Sequence, residues 1–174
     1  MLNKKPLTLQ QYEALLEQYY RPMMRYAWQL YPKRDEAEDM VQNAFVKLWK
    51  ARESVQFNKA AGWLKVVIRN QIIDHIRSKA PMNRLDDDEE RYLQMAASPS
   101  SEPEFIFARN EDHLILKKAF AQLKDRERLT LGLFYFDGLK IKQIAEHLSL
   151  SENAAESLLR RARAKLKLIM EEMI

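Results

Sequence analysis

The chain has 174 residues, room for one good core or two small ones, and its 47% hydrophobic and 31% charged content is that of a soluble globular protein. Cysteine is absent, which excludes disulfides and thiolate metal sites, and three glycines with six prolines favour helix over turn-rich sheet. The net charge of +4 is uneven, with 14 basic against 8 acidic residues in 1–80, 3 against 9 in 81–113 and 12 against 8 in 114–174.

From the N-terminus, Met1 to Pro6 leads into a polar amphipathic segment. No secretory signal and no run long enough to span a bilayer is seen, so the expectation is a cytoplasmic protein without membrane insertion. Thr8 and Gln11 form a capping-box pair that opens a first helix, with Leu9, Tyr12, Leu15, Leu16 and Tyr19 at helical spacing. Pro22 lacks an amide hydrogen and suits the first turn of a second helix through Met23, Met24, Tyr26, Ala27 and Leu30, ended by Pro32. Asp35 with Glu38 repeats the cap signature before the most regular stripe in the chain: Ala37, Met40, Val41, Ala44, Phe45, Leu48 and Trp49. A break at 54–59 precedes a helix over about 60–78, whose Ile and Val positions are interleaved with Lys65, Arg69, His75, Arg77 and Lys79.

The periodicity then disappears. Asp86-Asp87-Asp88-Glu89-Glu90 and Ser98-Pro99-Ser100-Ser101-Glu102-Pro103 cannot bury enough apolar surface to offset their ordering entropy, so 81–106 reads as an acidic flexible linker with local helix around 91–97. Helical spacing returns with Phe107, Leu114, Leu116, Phe120 and Leu123 and runs to Tyr135, where Asp137-Gly138 marks a stop. The expected fold is therefore all-α: two small helical domains, 1–80 and 107–174, joined by that linker. Two basic blocks around an acidic strip fit two modules facing a polyanion, and fit solvated helix faces equally well.

The end of the chain carries a helix-turn-helix pattern. Ile141, Ile144, Ala145 and Leu148 form the buried side of a supporting helix, and Ala145 is small where a second helix must approach. Leu150 plugs the turn and Ser151 is a good N-cap. Ala155, Leu158 or Leu159, Ala162 and Leu166 then give the second helix its core face. In such a motif the start of the second helix reaches base edges, which places Glu152, Asn153, Glu156 and Ser157 to read sequence. Arg160, Arg161 and Lys165 would meet phosphates or bases, with Arg163 on the same exposed side. A plain helical hairpin with a charged outer face would show the same spacing.

In the first block, Phe57, Lys59, Trp63, Lys65, Arg69, Arg77 and Lys79 alternate rings with cations, as suits single-stranded nucleic acid. By spacing alone Trp63 fits the apolar core at least as well. Enzyme chemistry has little footing and no catalytic, cofactor or metal residues are assigned. His75, His113 and His147 are scattered as surface or helix-packing residues, without a metal-binding pair, a glycine-rich phosphate loop or a nucleophile elbow.

The stretch from Asp35 through Asp39, Gln42 and Asn43 to Trp49 resembles the polymerase-binding helix of bacterial RNA polymerase sigma factors of the extracytoplasmic-function group. Trp63-Leu64, an apolar run, Arg69-Asn70 and then Asp74 and Arg77 are similar to that group's promoter-melting helix. Leu123-Lys124-Asp125-Arg126-Glu127-Arg128, Asp137-Gly138-Leu139, Gln143-Ile144-Ala145-Glu146 and Arg161-Ala162-Arg163 resemble its other DNA-binding domain. Several motifs in the right order over nearly the whole chain are more specific than any one.

The resemblance implies that Asp39, Gln42 and Asn43 dock on the clamp-helix coiled coil of the largest subunit of core RNA polymerase. It implies that the loop 54–59, with Phe57, Asn58 and Lys59, joins Trp63 and Asn70 in capturing a flipped base of single-stranded minus-ten promoter DNA. Arg69, Arg77 and Lys79 would hold the backbone there, while Glu156, Ser157, Arg160 and Arg161 fall where duplex minus-thirty-five DNA is read. The linker would thread near the RNA exit path, its acidic run imitating nucleic acid. An anti-sigma factor is an expected partner, which Phe105, Ile106 and Phe107 beside the linker permit.

Four departures from the family pattern stand out. Asn43 replaces a common acidic residue, Lys124 a frequent proline, and Ser149 a frequent glycine, which asks a non-glycine residue for positive φ. Ala154-Ala155-Glu156 replaces a common Thr-Val-basic run. The competing reading is a stand-alone helix-turn-helix repressor or activator with an N-terminal dimerisation domain. The polar face Asp39/Gln42/Asn43 argues against it, because a dimerisation helix more often carries a second apolar stripe there.

Overall fold

The computed structural model describes residues 5–79 and 110–174, and the chain divides into two units, Met1–Ser78 and Lys79–Ile174. The linker assigned to 81–106, its expected local helix and Phe105, Ile106 and Phe107 lie outside the described residues. All seven helices longer than one turn among the described residues are α-helices, and no strand occurs among them.

The first unit begins with α1, Leu9–Leu30. Its start is the expected capping box: Gln11 N–H donates to Thr8 Oγ1 (3.2 Å) and Thr8 N–H to Gln11 Oε1 (3.0 Å). The expected second helix at Pro22 is not separate, because α1 runs through the proline without a break. Proline inside a helix removes a hydrogen bond and costs about 3 kcal/mol. Here five buried residues follow it on the same helix, Met23, Met24, Tyr26, Ala27 and Leu30, and their burial outweighs that cost. The helix ends where Pro32 holds Tyr31 in extended conformation (φ −144°, ψ 105°).

Helix α2, Arg34–Lys50, starts two residues earlier than a cap at Asp35 would have it. Lys33 is its N-cap, without a side-chain hydrogen bond, so Asp35 lies within the first turn. There Asp35 and Glu36 face the partial positive charge of the helix start, as Lys47 and Lys50 complement its end. Ala37, Met40, Val41, Ala44, Phe45 and Leu48 are buried as expected, while Trp49 is only half-buried. A 3-10 turn, Phe57–Lys59, leads into α3, Ala60–Lys79, which buries Ala60, Leu64, Ile68, Ile72, Ile73 and Ile76.

Polar bridges fix these helices. Tyr12 donates its hydroxyl to the Phe45 carbonyl (3.1 Å), and burial pushes this phenol above its ordinary pKa, keeping it a donor. Gln71 Nε2 donates to the Met40 carbonyl (3.0 Å). At the opposite end the fully buried Tyr31 gives its hydroxyl to Glu36 Oε2 (2.7 Å) and lies 3.1 Å from His75 Nε2, itself 2.6 Å from the same carboxylate. That trio joins the end of α1 to α2 and α3, so His75 is the helix-packing residue its isolation suggested.

The second unit has four helices: α4, Asn110–Gln122; α5, Asp125–Tyr135; α6, Ile141–Leu148; and α7, Glu152–Glu172. Helix α7 packs on each of the other three. Ala119, Leu123, Leu131, Leu159, Ala162 and Leu166 form one buried cluster. Leu129, Leu133, Ile144, Leu148 and Ala155 are buried around the helix-turn-helix. Asp137-Gly138 is the stop that the sequence suggested: with Gly138 at φ 63°, Leu139 N–H reaches back to the Leu133 carbonyl (3.0 Å).

Candidate nucleic-acid interface

On α2, residues 39, 42, 43 and 46 fall on one side of a helix that turns 100° per residue. Asp39, Gln42 and Asn43 are all exposed, opposite the buried stripe. Gln42 Nε2 reaches Glu38 Oε1 (3.4 Å), and Tyr20 donates to the same oxygen (3.2 Å), so the polar face continues toward α1. Val46 was not singled out from the sequence, yet it is 49% exposed one turn beyond Gln42. Its register, outside the core stripe but within the polar one, was the available signal.

The loop and α3 build a second surface. Phe57 is 43% exposed, Asn58 and Lys59 are exposed, and Trp63 is half-buried, between the core and the ligand-facing readings. Trp63, Val66, Asn70 and Arg77 share one side of α3 by helical spacing. Val66 is 42% exposed there, another apolar residue that the ring-and-cation pattern overlooked. Arg77 and Lys79 are exposed at the helix end, with Arg77 3.8 Å from the exposed Asp74. Two of the cations stand apart. Arg69 is half-buried, and Lys65 lies over the Tyr26 ring at 4.8 Å, as part of the helix packing.

The turn of the helix-turn-helix takes the conformation that Ser149 was expected to need, φ 54° and ψ 45°. Leu150 N–H then reaches the Ala145 carbonyl (2.9 Å), and Ser151 Oγ accepts from Ala154 N–H (3.1 Å) as the N-cap of α7. Leu159, not Leu158, is the buried member of the pair left open by spacing. Glu152, Asn153, Glu156 and Arg160 are exposed along the first turns of α7, whereas Ser157 and Arg161 are half-buried, with Arg161 Nε donating to the Ser157 carbonyl (3.4 Å).

Two basic residues depart from the exposed side. Lys165 directly precedes the buried Leu166, at the edge of the core face, and its ammonium lies 3.0 Å from Glu127 Oε2 on α5. Both side chains are 15% exposed, and Glu127 also accepts the Lys124 backbone N–H (2.9 Å), so Lys165 bridges helices instead of standing out toward solvent. Arg163 lays its guanidinium over Phe134 and Tyr135, 4.9 and 5.4 Å from the ring centroids.

Sequence reasoning did not single out Arg128 as a buried residue, yet it is only 3% exposed. Its guanidinium donates to the carbonyls of Phe120 (2.9 Å), Ala121 (3.1 Å) and Leu123 and to Asp125 Oδ1 (3.1 Å). It thus satisfies the orphan acceptors at the end of α4 and holds α5 against them. The only prior signal was its place in the Leu123–Arg128 motif. No group of three or more potential metal-ligating residues, and no helix long and apolar enough to cross a membrane, occurs among the described residues.

Comparison with known proteins gives matches along the same two blocks. The family model Sigma-70 region 2 matches residues 15–81, and Sigma-70, region 4, matches residues 113–166. The chain is 30% identical over 162 residues to ECF RNA polymerase sigma factor SigL of Mycobacterium tuberculosis, covering 92% of this chain and 89% of SigL. It is 26% identical over 157 residues to ECF RNA polymerase sigma factor SigM of Bacillus subtilis, covering 89% of this chain and 92% of SigM. Among solved structures it is similar in fold to the sigma factor RpoE, crystallised in complex with the anti-sigma factor NepR from Bartonella quintana. That match has a TM-score of 0.52 at 20% identity and covers 94% of this chain and 98% of the other.

Proposed function

The chain belongs to the ECF RNA polymerase sigma factors, and on that premise we propose how its surfaces divide the work of promoter-specific initiation. The protein directs RNA polymerase to promoters, and the polymerase carries the chemistry. Residues 1–80 bind core polymerase through Asp39, Gln42 and Asn43, with Val46 adding apolar contact on the same face. The observation that carries this reading is that face itself: exposed, polar, and opposite the core stripe of α2.

The same unit melts the minus-ten element. Phe57 and Trp63 supply rings on which an unstacked base stacks, and Asn58 and Asn70 supply hydrogen-bonding groups. Lys59, Arg77 and Lys79, the exposed cations, follow the phosphates, and the half-buried Arg69 is left the smaller share of that contact. Stacking on protein offsets part of the unpairing cost, so strand separation proceeds by capture of bases that have opened. Residues 107–174 anchor the duplex upstream element through the exposed start of α7, with the acidic 81–106 segment spanning the two contacts. An anti-sigma factor belongs among the partners, a reading supported by the solved NepR complex of the similar fold.

The test is reconstitution. Purified chain added to core polymerase should form a stable complex and start transcripts at a promoter that core alone ignores. Binding to duplex DNA without polymerase, together with no effect on core activity, would instead indicate a stand-alone regulator, which the family membership disfavours.

A further inference from the structure

The exposed start of α7 is unusual for a surface meant to meet a polyanion. Of the four exposed side chains in its first turns, Glu152, Asn153, Glu156 and Arg160, two are acidic. Lys165 and Arg163 are held by Glu127 and by the Phe134 and Tyr135 rings. No ion pair or side-chain hydrogen bond holds Glu156 among the described residues, so its carboxylate is available to a ligand.

We infer that Glu156 reads a cytosine in the upstream duplex element, its carboxylate accepting a hydrogen bond from the 4-amino group in the major groove. This rests on the proposed role of the C-terminal unit in promoter reading. The chemistry selects the base. A carboxylate is an acceptor only, and it is repelled by phosphates and by the O6 and N7 edge of guanine. Thymine offers another acceptor and a methyl group, and adenine sets the N7 acceptor beside its amino group. Cytosine presents a donor without that neighbouring acceptor.

By helical spacing the neighbour of Glu156 on the exposed face is Arg160, one turn on, and no ion pair joins the two. Ala154 and Ala155, short side chains of which Ala155 is buried, put no cation beside it to pull it onto a phosphate. Arg160 lies four residues on, about 6 Å along the helix axis, which is about two base steps. Its exposed guanidinium suits a guanine or a phosphate there. The exposed Lys140 and Lys142 at the start of α6 provide cations on the supporting helix instead.

The experiment uses holoenzyme assembled from the full chain and core polymerase, with promoters randomised across the upstream element and transcripts sequenced. Wild type should favour cytosine at one position, and Glu156→Ala should lose about tenfold of that preference while preferences elsewhere persist. Glu156→Gln should move the preference toward adenine, whose N6 and N7 a carboxamide pairs with. Replacing the selected cytosine by pyrimidin-2-one, which lacks the amino group, should weaken wild-type binding about tenfold and leave Glu156→Ala unaffected. An unchanged profile in both variants, or a favoured base other than cytosine at the position they alter, overturns the inference and leaves the sigma-factor role standing. Failure of the wild-type holoenzyme to initiate on any member of the library overturns that role itself.

Discussion

In the N-terminal unit the groups that lock helix to helix are phenols, an amide and an imidazole: Tyr12 on Phe45, Gln71 on Met40, and Tyr31 with Glu36 and His75. Its cations lie over the faces of rings, as Arg34 on Trp28, Arg52 on Trp49 and Lys65 on Tyr26, or are exposed, as Lys59 and Arg77. The C-terminal unit uses cations as the locks, with Arg128 buried under three carbonyls and Lys165 bridged to Glu127. The two basic blocks thus present different faces. Formal charge overstates what the second offers to DNA, because part of its positive charge is internal structure. Its candidate reading edge is close to neutral and suited to base contacts, while the first block keeps exposed cations suited to a backbone.

That contrast can be broken most forcefully at Arg128. Arg128→Ala leaves buried carbonyls without donors and should cost about 3 kcal/mol. All three tryptophans, Trp28, Trp49 and Trp63, belong to the N-terminal unit, so tryptophan fluorescence in urea should keep its transition while the far-UV circular dichroism shifts. Arg77→Ala, an exposed cation, should stay within about 0.5 kcal/mol in both signals. Equal losses for the two arginines would erase the distinction.

Next in size is the polar face of α2. Asp39→Arg combined with Gln42→Ala should weaken binding to core polymerase about a hundredfold, because a reversed charge at an interface meets like charge. Both side chains are exposed, so thermal unfolding should be unchanged. Retained binding would remove Asp39 and Gln42 from the proposed docking surface. A smaller effect is expected at Phe57→Ala, which removes one stacking platform. Promoter opening, read by permanganate reactivity of unpaired thymines, should fall about tenfold. Binding to core polymerase should not change, separating the two surfaces of one unit.

The regular parts of both units could be read from the sequence because they depend on neighbours a few residues away. The Thr8 box, the stripe of α2, the Gly138 stop and the Ser151 cap each need only a local pattern. Pro22 defeated the local rule because the balance was set by burial of Met23 through Leu30, which no window around the proline contains. The cap signal at Asp35 was displaced by two residues, to Lys33, because Pro32 already ends the preceding helix and fixes the entry into α2. Among the site residues, helical spacing assigned Asp39, Gln42, Asn43, Glu156 and Arg160 to solvent, where they are found. It could not say where a long side chain ends. Lys165 and Arg163 have register positions near the exposed side, but Glu127, Phe134 and Tyr135 on another helix decide where their charges lie.

The smallest test concerns the turn that sets the angle of α7. Ser149 is the one non-glycine residue with positive φ among the described residues, and the N-terminal unit has no position of that kind. An L-residue in the left-handed region costs about 1–2 kcal/mol through contact of its Cβ with the backbone. Ser149→Gly removes that contact but adds about 0.4–1 kcal/mol of chain entropy to the unfolded state. The expected balance is a gain of about 0.5 kcal/mol in the circular dichroism transition of the C-terminal unit, with the tryptophan transition unmoved. The Ser149 side chain is exposed, so its loss should not offset the gain through packing. A net loss of stability would mean that serine contributes more in this turn than its backbone strain costs. The C-terminal unit would then depend on a polar side chain at its tightest bend as well as on the cations in its interior.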